Sequence, residues 1–185
     1  MMASDTALVI VDLQNDYFPG GRFPLVGVEQ AAANAARLLA AARAAGRPVI
    51  HVRHEMPAGN PPFFAPGSAG AAIHASVRDE GGEPVITKNR TNAFRDTDLK
   101  AILDAQGLKG IVLAGAMSHM CIDAAARAAT DLGYAVTVVH DACATRDLDF
   151  NGVTVPAAQV HAAFMAALAF AYATVVTTDD HLASP

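Results

Sequence analysis

Three residues far apart in the chain carry side chains that could act together on a carbonyl group. Asp12 offers a base, Lys88 an ammonium, and Cys121 a nucleophilic thiol. Asp12 sits inside the apolar run Val9-Ile10-Val11-Asp12-Leu13. A carboxylate among core-like neighbours is costly unless it is paired or usefully protonated. The other reading is a capping or turn-forming aspartate, helped by Gln14, Asn15 and Asp16 just after it. Cys121 follows an apolar run and the turn Gly115-Ala116-Met117-Ser118-His119-Met120, and it opens the next helical stretch. The first turn of a helix favours thiolate, and its unsatisfied N–H groups suit an oxyanion. Against this stands the ordinary buried cysteine, which behaves as a small hydrophobe. Cys143 is the internal control: it follows a strand with no helix N-terminus and reads as inert. Lys88 ends a strand and could simply reach solvent. Beside Asp12 and Cys121, its ammonium would stabilise both anions and lower the thiol pKa.

These groups need elements that bring them together. Short β-branched runs at 7–13, 48–52, 83–87, 110–114, 135–140 and 174–178 read as strands buried on both faces. Helices are expected at 28–45, 98–106, 120–132 and 156–171. Gly46, Gly107 and Gly133 stand just past three of them, and Thr97 is a candidate N-cap. Strand–helix–strand repetition with short links gives right-handed crossovers, and so an α/β fold with a parallel sheet between two helical layers. Ligands of such sheets bind beyond the carboxyl ends of the strands, where Asp12, Lys88 and Cys121 all fall. The chain reads as one domain, 1–185, with no linker or repeat. Its one long irregular stretch, 55–82, is a candidate lid. The last helix is apolar on nearly every face, so it must be buried inside the domain or against a partner, and the tail 179–185 reads as loosely held.

Composition narrows the class. Of the 185 residues 52% are hydrophobic and 17% charged, which excludes a disordered chain. A net charge of -5 without a basic stripe argues against nucleic acid. No apolar run reaches the roughly 20 residues a membrane span needs. The opening Met1-Met2-Ala3-Ser4-Asp5 lacks the positive start of a signal peptide, and two cysteines are too few for a disulfide scaffold. The expected place is the cytoplasm.

At the three candidate residues the chain resembles the isochorismatase-like cysteine hydrolases, nearly end to end. Val11-Asp12-Leu13-Gln14-Asn15-Asp16-Tyr17-Phe18 is similar to the aspartate motif. Thr87-Lys88-Asn89-Arg90-Thr91-Asn92-Ala93-Phe94 is similar to the lysine motif, and Gly115 to Ile122 to the nucleophile motif. The resemblance implies a three-layer αβα, Rossmann-like fold with a six-stranded parallel sheet, and an Asp12–Lys88–Cys121 triad. It also implies a cis peptide at Ala116–Met117, which turns the Met117 N–H toward an oxyanion beside that of Cys121.

Two departures matter. Nicotinamidases of this superfamily carry an Asp-x-His metal motif after the second strand, whereas this chain has His51-Val52-Arg53-His54-Glu55. Alternation puts His51 and His54 on opposite faces, short of the three convergent ligands a zinc site needs, so neither metal nor cofactor is expected. His51 reads as packing and His54 as a candidate pocket wall. The branch that hydrolyses the isochorismate vinyl ether lacks the nucleophilic cysteine, so Cys121 favours acyl chemistry. The leading expectation is therefore hydrolysis of a C–N bond of a small molecule through a thioester on Cys121. The alternatives are a vinyl-ether hydrolase acting through Asp12, and a catalytically idle binding protein. Phe18, Phe63, Phe64 and Phe94 are candidate pocket walls, with Asn92 and His119 as candidate polar contacts. The resemblance also implies a homo-oligomer, a dimer or tetramer.

Overall fold

The computed structural model describes residues 5–57, 59 and 61–183. Residues 1–4, on which the absence of a leader was argued, lie outside the described residues. The sheet strands are β1 (Thr6–Val11), β2 (Val49–His54), β3 (Val85–Lys88), β4 (Gly110–Ala116), β5 (Ala135–Ala144) and β8 (Thr174–Val176). They form one parallel sheet in the order β3-β2-β1-β4-β5-β8, the six-stranded architecture expected. The strand order reverses beside β1, so the carboxyl ends of β1 and β4 border the crevice where ligands of this topology bind.

Period-two alternation divides each strand between two cores. Leu8, Ile10, Val49 and Val112 pack under α1 (Val28–Ala44). Ala7, Val9, Val11, Ile50, Ile111 and Leu113 pack under α2 (Leu99–Ala105), α3 (Asp123–Asp131) and α4 (Ala157–Ala171). Three expectations about the helices change. α2 starts after Asp98 rather than Thr97, although the Thr97 hydroxyl still accepts the Leu99 N–H at 3.4 Å. α4 buries Ala157, Val160, Met165 and Leu168 but leaves its other side outward, with Phe170 92% exposed. It is thus covered on one side within this chain. The described part of the tail read as loose, 179–183, belongs to α5 (Thr178–Ala183), tied down where Asp141 accepts both the N–H and hydroxyl of the buried Thr178. The antiparallel hairpin β6 (Leu148–Phe150) and β7 (Val153–Val155) was not expected; it turns through Asn151 and Gly152, both at positive φ.

The candidate lid is pinned where it can be described. Leu13, Asn15 and Asp16 bond through their main chains to His74, Ala72 and Gly70, and the Asp16 carboxylate accepts the Phe64 N–H at 2.7 Å. A Cβ on Gly70 would lie 2.2 Å from that carboxylate, so any larger residue there would displace it. These bonds make residues 64–74 a wall beside the carboxyl end of β1.

Candidate active site

Strand β1 ends at Val11, and Asp12 stands one residue beyond it with φ 53°, its N–H bonded to Val52 O at 2.8 Å. Aspartate is among the few non-glycine residues that tolerate this left-handed region. The turn directs a fully buried carboxylate to the rim of the sheet. Lys88 is the last residue of β3 rather than a residue beyond it, and it too is fully buried. Reaching solvent is thereby excluded. Its Nζ lies 2.8 Å from Asp12 Oδ2 and 3.2 Å from Cys121 Sγ. The three residues singled out by type alone meet at one ammonium.

Cys121 arrives from β4 through an unusual turn. Gly115, at φ 132°, passes so close to β1 that a Cβ would lie 1.9 Å from Val11 O; only glycine fits. The next peptide, Ala116–Met117, is cis. Ser118–Ile122 then forms one π-helical turn, closed by Ile122 N–H to Met117 O at 3.2 Å, and leads into α3. Single π turns of this kind recur at functional sites.

The electrostatics correct one expectation. Burial, reinforced by the Asp12 charge and opposed by Lys88, pushes the Cys121 thiol far above its ordinary pKa. These surroundings favour the neutral thiol over a preformed thiolate. Lys88 shifts the other way. Burial alone would lower it, but the Asp12 carboxylate first, and the hydrogen bonds to Asp12 and Cys121, raise its pKa overall, which favours the charged ammonium. Asp12 Oδ1 accepts no hydrogen bond among the described residues. A buried acceptor left open is costly, and it is positioned to take a proton. Cys143 lies within β5, its thiol aimed at Val139 O, with burial raising its pKa to about 12.

Two neighbours of the triad were not singled out by the sequence. The fully buried Gln14 holds both main-chain groups of His54, its Oε1 accepting the His54 N–H at 2.7 Å and its Nε2 donating to His54 O at 2.8 Å. Nothing in the spacing marks a loop glutamine as a clamp. Tyr17 is buried close enough that, after burial itself, the Asp12 charge raises its hydroxyl pKa. Its ring heads an aromatic wall with Phe64 at 4.5 Å and Phe63 at 6.0 Å.

The candidate pocket residues divide. His54 Nδ1 lies 2.8 Å from Lys88 Nζ, and Phe64 flanks the His54 ring at 6.1 Å. Phe63 belongs to the same wall, stacked on Phe23 at 4.3 Å. Phe18 instead stacks on His74 at 3.6 Å. Phe94 faces Tyr134, and Asn92 spends its side-chain oxygen on the Phe94 N–H. His119 Nδ1 bonds Thr145 Oγ1 at 2.6 Å, outside the triad. His51 points to the other face, as alternation requires, and bonds Glu83 at 2.9 Å.

Asp12, His54 and Cys121 each offer one ligand atom within 4.8 Å of one another, a set with the composition of a metal site. The Lys88 ammonium stands against all three and already supplies the positive charge there. A second cation would meet its full repulsion, so the cluster does not fit a resident metal.

The family model of the isochorismatase domain matches residues 6–180. The chain is 50% identical to the isochorismatase family protein YddQ of Bacillus subtilis (strain 168) over 177 residues, 96% of this chain and 98% of that one. It is 33% identical over 162 residues to the maleamate amidohydrolase of Pseudomonas putida, covering 77% of this chain and 74% of the relative. A crystal structure from Oleispira antarctica superposes with a TM-score of 0.95 at 57% identity, covering 100% of each chain.

Proposed function

Because the chain belongs to the isochorismatase family of hydrolases, we propose that it is a cysteine-dependent amidohydrolase that cleaves a C–N bond of a small amide, imide or ureido compound through a thioester on Cys121. The observation that carries this reading is the single buried ammonium touching both a carboxylate and a thiol. A maleamate amidohydrolase among the relatives supports C–N cleavage.

The raised thiol pKa favours proton removal in concert with attack over a separate thiolate. Asp12 takes the Cys121 proton as sulfur bonds to the carbonyl carbon, and the C=O electron pair moves onto oxygen. The oxyanion is met by the N–H groups of Cys121 and Met117; the latter makes no hydrogen bond among the described residues. Collapse breaks the C–N bond, and Asp12 returns the proton to the departing nitrogen. Asp12 then takes a proton from water as the hydroxyl attacks the thioester. The second collapse releases the acid, and the thiolate regains its proton from Asp12. Lys88 stays charged throughout and offsets the negative charge as it moves between oxygen and sulfur. Tyr17, Phe63 and Phe64 form the apolar wall for the acyl group.

Among the described residues no helix is long and apolar enough to cross a membrane. Both cysteines are free thiols, which supports a reducing, cytoplasmic setting. The outward face of α4 supports assembly into a homo-oligomer, measurable by light scattering.

A panel of maleamate, simple amides, cyclic imides, ureido acids and isochorismate tests the reading against Cys121→Ala. The variant should lose C–N hydrolysis altogether. Amide hydrolysis that survives would refute the thioester, and surviving cleavage of isochorismate alone would assign vinyl-ether chemistry to Asp12. A wild-type chain inert toward the whole panel would favour an idle binding role.

A further inference from the structure

An ammonium has three N–H donors. Around Lys88 Nζ stand three acceptors: Asp12 Oδ2 at 2.8 Å, Cys121 Sγ at 3.2 Å and His54 Nδ1 at 2.8 Å. Two of them belong to the catalytic cluster; the third does not. We infer that His54 is a positioning residue of the hydrolase, whose Nδ1 accepts from Lys88 and holds the ammonium where it faces carboxylate and thiol together. The inference rests on reading Asp12, Lys88 and Cys121 as catalytic.

Three observations converge on it. First, register places His54 directly opposite Lys88 on neighbouring strands, both at strand ends, so a long side chain from β3 must pass the imidazole on its way to Asp12. Second, the imidazole stands on a fixed backbone. The Gln14 amide grips the His54 N–H and C=O, and the same Gln14 Nε2 bonds Ala71 O at 2.7 Å, which ties this position to the wall over the site. Third, the surroundings favour the neutral ring. Burial, then the Lys88 charge, lower its pKa below 6.5 against the opposing pull of Asp12.

A neutral imidazole that accepts at Nδ1 carries its proton on Nε2, so the ammonium also selects the tautomer. The charged groups facing the ring are Lys88 from β3 and Asp12 from the end of β1, with Cys121 beyond them. Phe64, from the wall, contributes only an uncharged ring. On β2 itself, Arg53 is engaged with Glu55 and Thr87. Protonation of His54 would convert Nδ1 from acceptor to donor and set a second cation against Lys88. The ammonium would be pushed off its position, and turnover would fall on the acid side.

The test uses the full-length chain and two substitutions. In His54→Asn the side-chain oxygen takes the place of Nδ1 and accepts without titrating. In His54→Leu the acceptor is gone. With maleamate, or the panel member turned over fastest, His54→Leu should lose about ten- to a hundredfold in kcat, the worth of a hydrogen bond to a charged group, with KM little changed. His54→Asn should restore most of kcat and lose the acid limb that His54 contributes to the pH profile. A readout that needs no substrate is the long-range 1H–15N correlation of histidine-labelled protein. It should show one Nε2–H tautomer at neutral pH that is absent from His54→Asn, and this holds even if His54→Leu fails to fold. Wild-type kcat in His54→Leu, equal damage in the two variants, or an Nδ1–H tautomer would overturn the inference. If Cys121→Ala is inactive while His54→Leu is not, only the His54 role falls. If Cys121→Ala stays active, the catalytic reading falls with it.

Discussion

The ion pair between Asp12 and Lys88 should be the costliest interaction in the molecule to break from one side. Both residues are fully buried, and their charged atoms stand 2.8 Å apart. At an effective dielectric of about 20 this separation corresponds to about 6 kcal/mol of attraction, set against the desolvation of two charges. Asp12→Asn keeps the shape and suits the left-handed backbone at residue 12, so its effect is electrostatic. With the carboxylate gone, burial dominates at Lys88 and the ammonium is left without its anion. Removing one member of a buried pair costs about 3–5 kcal/mol, which in a chain of this length is a fall in Tm of about 10 °C. Lys88→Met should cost a similar amount, for the stranded carboxylate. The double variant Asp12→Asn/Lys88→Met strands neither charge and should lose less than the sum of the singles, by about 2 kcal/mol or more. Urea unfolding followed by circular dichroism at neutral pH measures all four proteins. Additive losses, or Asp12→Asn as stable as the wild type, would refute the electrostatic account. All three variants should be inactive.

Gly115→Ala forces a Cβ to within 1.9 Å of Val11 O at φ 132°, so the variant should fail to fold or lose about 4 kcal/mol or more; a wild-type melting curve would contradict the crossing. Gln14→Leu strands the His54 N–H and C=O and the Ala71 carbonyl, at about 1–3 kcal/mol for each group that stays buried, and kcat should fall with stability; a stable, fully active variant would show that the clamp is not needed. Glu83 is held at a pKa of about 2, against 4.5 unperturbed, chiefly by its Arg43 hydrogen bonds. A depressed carboxyl stabilises the fold above its unfolded pKa and loses that contribution as pH falls from about 4.5 toward 2. Glu83→Gln should therefore be less stable near neutrality yet shallower in acid, and acid unfolding parallel to the wild type would contradict this.

Much of this arrangement was legible because buried parallel strands announce themselves. A carboxylate ending an apolar run, and a cysteine opening a helix after another, can be seen without coordinates. The hairpin and α5 were missed although signals existed. Asn151-Gly152 is a dipeptide favoured in tight hairpin turns. Thr177 to Asp180 is a capping box, with the Thr177 hydroxyl accepting the Asp180 N–H at 3.1 Å. Short elements at a chain end carry too little apolar periodicity to outweigh a polar composition. Gln14 and Tyr17 were illegible for a different reason. Their roles depend on the 310 turn Asn15–Tyr17 and the residue before it lying against residues 40 to 57 positions later, and local pattern does not encode that contact. The expectation of a lowered thiol pKa failed on burial. A helix terminus and a lysine are visible in sequence, whereas the loss of solvent around Cys121 is not.

The most direct measurement is the mass of the Cys121 peptide after acid quenching during turnover of the best amide substrate. The account predicts an adduct equal to the acyl part of that substrate, on Cys121 alone, formed and lost at rates compatible with kcat and absent from Cys121→Ala. Product formed in a single turnover with no adduct at any time, together with turnover by Cys121→Ala, would contradict it.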